Sequence, residues 1–190
     1  LKPLTVYGKA FEENLVTLGT IIEDSPVMKY DGSDWPANAD GKYHGDMSIY
    51  KALTNSYNPP AVRVLRLQQD DDGTFSTVLN FARDTLKLSS LQDDDKNGLA
   101  PLSLGALSKG VTVLEMTRAF SVYANKGTFT DSRSYTRVES YSGKTVLQKD
   151  VSKQSVYSEQ TAYLMTYTLE NVVAETYFGR AAKVYGVETA

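Results

Sequence analysis

Lys2, Ser56 and Asn58 are among the side chains of this sequence whose types could serve hydroxyl chemistry. A serine hydroxyl is a weak nucleophile at neutral pH and needs a base within hydrogen-bond reach. A lysine amine can be that base when burial and neighbouring positive charge depress its pKa. Ser56 and Asn58 stand two residues apart, so in an extended or turn conformation they point to one side and Tyr57 to the other. Taken alone, Ser56-Tyr57-Asn58 reads as a turn and cap before a proline-started helix, and Lys2 as a surface lysine.

The elements that must position these groups are mostly helices. Residues 3–13 read as a helix, with Pro3 in the first turn and Leu4, Tyr7 and Phe11 at helical spacing. Residues 23–46, rich in Asp, Gly, Pro and Asn, read as one long loop, and loops of that length in compact domains are usually functional. A short helix over 47–55 delivers Ser56 into a turn, and Pro59-Pro60 starts the next, through about Gln69. Thr112 and Glu115 form a capping box for a helix that Gly127 stops. Residues 135–147 predict a hairpin around Ser142-Gly143, and Ser158 can cap a last helix to about Val173.

Motif order and flanking segments give the three residues a context. Leu1-Lys2-Pro3 entering a helix, followed some fifty residues later by Ser56-Tyr57-Asn58 before Pro-Ala-Val, resembles the transpeptidase domain of class A penicillin-binding proteins. Trp35-Pro36-Ala37-Asn38 and Asp40-Gly41-Lys42-Tyr43-His44-Gly45 are similar to the segment preceding Ser-x-Asn in that family. Leu104 to Met116, continuing to Tyr123-Ala124-Asn125-Lys126-Gly127, is similar to the stretch between its second and third motifs. Phe178-Gly179-Arg180-Ala181-Ala182 resembles the approach to the Lys-Thr-Gly strand, with Phe178 departing from the small or polar residue expected.

The resemblance implies a partial transpeptidase domain over residues 1–190, with the nucleophilic serine three positions before Lys2 and the Lys-Thr-Gly strand following Ala190. On one helix, a serine and a lysine three residues apart share a face. The implied fold class is α+β, a predominantly helical part of the serine β-lactamase/penicillin-binding transpeptidase fold with a small β-hairpin. Its implied partners are peptidoglycan stem peptides, β-lactams, the remainder of the domain, and an upstream glycosyltransferase domain with a membrane anchor, placing it on the outer face of the bacterial membrane. Lys2, Ser56 and Asn58 would be catalytic, with Asn58 and Tyr57 touching substrate. No cofactor is implied, and the 190-residue chain alone is expected to be inactive. The alternatives are a serine β-lactamase or β-lactam sensor, and a transpeptidase-like scaffold without a nucleophile.

Composition narrows the rest. A length of 190 residues at 41% apolar content suits one domain with a core. A net charge of −3 gives no electrostatic case for nucleic acid. The absence of cysteine removes disulfides, thiolate zinc sites and a cysteine nucleophile. His44 is the only histidine, which excludes a multi-histidine metal site and favours a loop-packing or surface role. Asp93, Asp95, Asn97 and Gly98 match the first half of a calcium loop, but its twelfth position is Leu104, so a solvated acidic turn is the favoured reading. Gly143-Lys144-Thr145-Val146 lacks the glycine of Lys-Thr-Gly and reads as a hairpin turn. Several of the thirteen tyrosines fall at helical or strand spacing, which favours core and half-buried positions over a carbohydrate platform.

Overall fold

A computed structural model describes residues 1–175, so the segment Phe178 to Ala182 lies outside the described residues. The chain opens in a π-helical stretch, Lys2–Gly8, that runs directly into α1, Lys9–Glu12. Every residue from Leu4 to Phe11 is buried, as expected of a helix that is apolar on most sides. It packs against α3 (Asn58–Arg66), α5 (Leu99–Leu104) and α7 (Glu159–Glu175). Leu4, Val6, Tyr7, Leu53, Leu65, Leu102 and Met165 belong to the one core cluster around it. The helix carrying Lys2 is therefore the axis of the core.

The predicted long loop is corrected by the structure. Strand β1 (Ile21–Asp24) pairs antiparallel with β4 (Gly45–Ser48), and β2 (Met28–Tyr30) with β3 (Ser33–Trp35). Asp31 and Gly32, both at positive φ, make the tight β2–β3 turn. The β1–β4 register pairs residues 21 to 27 positions apart, which local periodicity does not reveal. Residues 47 and 48 consequently belong to β4, and α2 is Ile49–Thr54, capped by Ser48.

Elsewhere the local signals hold. The Thr112–Glu115 capping box is formed on both sides and starts α6, Val113–Ala124. Its stop is Lys126 at φ +53 followed by Gly127, whose N–H donates to the Val122 carbonyl at 2.8 Å. The hairpin is β6 (Arg137–Glu139) with β7 (Thr145–Gln148), while β5 (Thr128–Thr130) pairs with β8 (Lys153–Ser155). Ser158 accepts from the Thr161 N–H at the start of α7. Helices α4 (Ser76–Asn80) and α5 flank a 3₁₀ turn at Asp93–Lys96. That acidic turn is only partly solvated. Asp93 and Asp94 are exposed, but Asp95 is buried and accepts from Gln92 and from Ser108, so it caps rather than awaits a metal. Among the described residues no cluster of His, Asp or Glu could hold a metal, and no helix is long and apolar enough to cross a membrane.

Candidate active site

The structure brings Lys2, Ser56 and Asn58 to one point. Lys2 Nζ lies 3.2 Å from Ser56 Oγ, 2.7 Å from Asn58 Oδ1, 2.5 Å from the Ser56 carbonyl and 3.2 Å from the Tyr57 carbonyl. Four acceptors thus surround an ammonium that has three protons to give. Burial lowers the Lys2 pKa to about 8, because the half-buried amine loses hydration when charged. Among the described residues, desolvation is the cause. Once neutral, the amine has a lone pair that can accept the Ser56 hydroxyl proton.

The turn that presents these acceptors is built locally. Helix α2 ends with Ser56 N–H on the Leu53 carbonyl and Tyr57 N–H on the Ala52 carbonyl, both at 3.0 Å. Ser56 itself sits at φ +56, a left-handed conformation that costs a non-glycine residue about 1 kcal/mol or more. Asn58 is the first residue of α3, where Pro59 and Pro60 need no N–H partners. Ser56 is exposed, so its hydroxyl faces Lys2 on one side and open solvent on the other. Tyr57 points away and stacks on His44, ring centroids 4.5 Å apart. The Asp40 carboxylate holds the imidazole Nε2 at 2.9 Å. His44 thus packs against the loop, as expected.

Two residues that sequence reasoning gave no role complete the site. Asn58 N–H donates to Asn38 Oδ1 at 2.7 Å, and Asn58 Nδ2 donates to the Ala37 carbonyl at 2.6 Å. Asn38 Nδ2 in turn bonds both oxygens of Asp24, at 3.0 and 2.8 Å, and the Lys42 carbonyl at 2.8 Å. Asp24 also accepts from His44 N–H at 2.9 Å and is wholly buried. A buried carboxylate with three contacts from two donor groups is satisfied and stiff, so Asn38 is an anchored clamp on Asn58. Asn38 stood in the Trp-Pro-x-Asn segment, a usable signal. Asp24, in a stretch read as loop, gave none. The clamp also fixes the Asn58 amide, since Oδ1 serves Lys2 and Nδ2 serves Ala37. One Nδ2 proton and one Oδ1 lone pair remain for a further group.

The fold that sets a partly desolvated lysine on a clamped Ser-x-Asn turn is the penicillin-binding transpeptidase fold. The family described as penicillin binding protein transpeptidase domain matches residues 1–190, and the chain belongs to it. Relatives include penicillin-binding protein 1A of Clostridium acetobutylicum, 34% identical over 183 residues, covering 92% of this chain and 22% of that protein. Penicillin-binding protein 4 of Bacillus subtilis is 30% identical over 187 residues, covering 97% of this chain and 28% of that protein. The chain therefore spans about a quarter of the length of its curated relatives. Among solved structures, penicillin-binding protein 1A of Haemophilus influenzae superposes with a TM-score of 0.70 at 20% identity, over 96% of this chain and 31% of that one. PBPA of Mycobacterium tuberculosis gives 0.71 at 17% identity, over 90% and 42%. These two bear on the fold alone, and they agree with the α+β class read from the sequence.

Proposed function

We propose that this chain is part of a serine D,D-transpeptidase domain, and that Lys2, Ser56 and Asn58 act in its acylation step. The observation that carries the reading is the placement of one amine on both a hydroxyl and a carboxamide, at 3.2 and 2.7 Å. The nucleophile is a serine three positions before Lys2 on the same helix, where the two side chains share a face. Neutral Lys2 takes the serine proton as the oxygen attacks the carbonyl between two D-alanines of a peptidoglycan stem peptide. Backbone N–H groups stabilise the oxyanion. The proton passes from Lys2 through Ser56 to the departing amine, leaving an acyl-enzyme and free D-alanine. Asn58 holds the peptide side of the substrate with its amide, while the Tyr57 ring, stacked on His44, faces away from it. An amine on a neighbouring strand then attacks the ester, forming the cross-link and freeing the serine. A β-lactam mimics the peptide and stays attached. No step needs a cofactor.

The same reading places the protein on the outer face of a bacterial membrane, held by an upstream anchor next to a glycosyltransferase domain. Intact mass of the longest natural form, before and after penicillin, tests it. A gain of one β-lactam on the serine before Lys2 supports the acyl-enzyme, and rapid loss of that adduct moves the assignment to a β-lactamase. A folded protein with no gain leaves a scaffold. The 190-residue chain by itself is expected to take up no fluorescent penicillin, and stoichiometric labelling would sink that expectation.

A further inference from the structure

Two tyrosine hydroxyls enter the first turn of the Lys2 helix. Tyr123 Oη donates to the Pro3 carbonyl at 2.7 Å, and Tyr157 Oη donates to the Leu4 carbonyl at 2.6 Å. These are the two consecutive carbonyls that follow Lys2. Both hydroxyls bond carbonyls of a stretch that is π-helical from Lys2 to Gly8, and side-chain insertion and π turns are each recognised distortions of a helix. Gly8 is the notch that admits the hydroxyls. A Cβ there would lie 2.6 Å from the Pro3 carbonyl, 3.1 Å from Tyr157 Oη and closer still to Tyr123 Oη.

The two tyrosines form one rigid piece. Their rings stack with centroids 5.4 Å apart and planes 11° from parallel, and Phe81 lies 5.7 Å from Tyr157. The turn behind them is locked as well. Gly127, at φ +83, accepts from Val156 and Tyr157 N–H at 2.8 and 3.1 Å, and a Cβ on it would collide with the Tyr157 carbonyl. The end of α6 is thereby fastened to the start of α7. Burial raises both phenol pKa values, so the hydroxyls stay protonated donors through the neutral range.

We infer that Tyr123 and Tyr157 are positioning residues for Lys2, whose hydroxyls set the register of the turn that follows Lys2 and so the place of the amine on Ser56 and Asn58. The inference rests on the reading of Lys2 as the base. A π-helical turn freed from both hydroxyls can relax toward ordinary α geometry, which shifts Lys2 relative to the Ser56–Asn58 turn. Misplacement of a catalytic group by about 1 Å can cost about 10²-fold in rate.

The test uses the longest natural form of the protein, with Tyr123→Phe, Tyr157→Phe and the double variant, each keeping its ring. Stopped-flow acylation by a fluorescent penicillin gives the affinity and the acylation rate constant separately, as a function of pH, beside circular dichroism for the fold. Expected are an unchanged affinity, a fall of about tenfold in each single variant's rate constant and about 10²-fold in the double variant. The pH midpoint of the rate should also move upward as Lys2 gains water. Rate constants and pH midpoints equal to the parent's would overturn the inference. So would a smaller acylated fraction at an unchanged rate constant, which marks a purely structural role and also covers a variant that folds poorly. Failure of the unsubstituted protein to acylate would remove the reading of Lys2 as base, and this inference with it.

Discussion

The fold treats two lysines of this chain, Lys2 and Lys144, in opposite ways. Lys2 begins a core helix, and its amine meets four acceptors. Lys144, in Gly143-Lys144-Thr145, lies in the β6–β7 hairpin, where every residue from Tyr141 to Asp150 is exposed. Its backbone N–H serves the hairpin turn, through Ser140 Oγ at 3.2 Å. The difference is one of desolvation. An amine held at a half-buried corner, as Lys2 is, can shift its pKa and be aimed.

The sharpest test of that contrast is substitution of each lysine in the full-length protein. Lys2→Ala should lower the penicillin acylation rate by about 10²- to 10⁴-fold, the usual contribution of a positioned base. Lys144→Ala should change it by less than about twofold, as expected for an exposed site away from special contacts. The unsubstituted rate should rise with pH through about 8, because only neutral Lys2 accepts a proton. A rate that falls over that range would break the assignment of Lys2 as base.

Stability should divide along the same line. Leu65 is wholly buried on α3 beside the Lys2 helix, whereas Leu147 in β7 is 51% exposed. Leu65→Ala should cost about 2–5 kcal/mol in urea unfolding. Leu147→Ala should stay within about 0.5 kcal/mol. Equal losses would mean that the hairpin is as much a part of the core as the site. A smaller effect is expected at the clamp. Asn38→Ala leaves Asp24 without two of its donor contacts and should cost about 1–3 kcal/mol, with slower acylation through a loosened Asn58.

The smallest effect concerns pH. Hydrogen bonds from Ser89 and Thr112 hold the Glu115 carboxyl at about 2, below its ordinary 4.5. The depressed folded value makes its stabilisation complete above pH 4.5 and lost as pH falls toward 2. Thermal midpoints of the parent and Glu115→Gln should therefore differ at pH 6 and converge near pH 2. A gap independent of pH would assign the effect to packing.

The sequence by itself determined what depends on neighbours a few residues away. The capping box of Thr112 and Glu115, the Ser142-Gly143 hairpin, the Ser158 cap and the Ser-x-Asn turn before two prolines all satisfy backbone groups within three or four positions. Their side chains therefore carry a local signature, and their order along the chain carried the family resemblance. Only the tertiary structure decided the rest. The β1–β4 pairing inside the predicted loop, the buried Asp24 behind Asn38, and the tyrosine hydroxyls on the Lys2 helix join residues between 14 and 153 positions apart. Such bonds leave no periodic trace, because their partners are chosen by which buried donors and acceptors the folded core leaves facing one another. Lys2 illustrates both halves: its residue type and helix were written locally, and its lowered pKa exists only because the fold places it against Ser56 and Asn58 away from water.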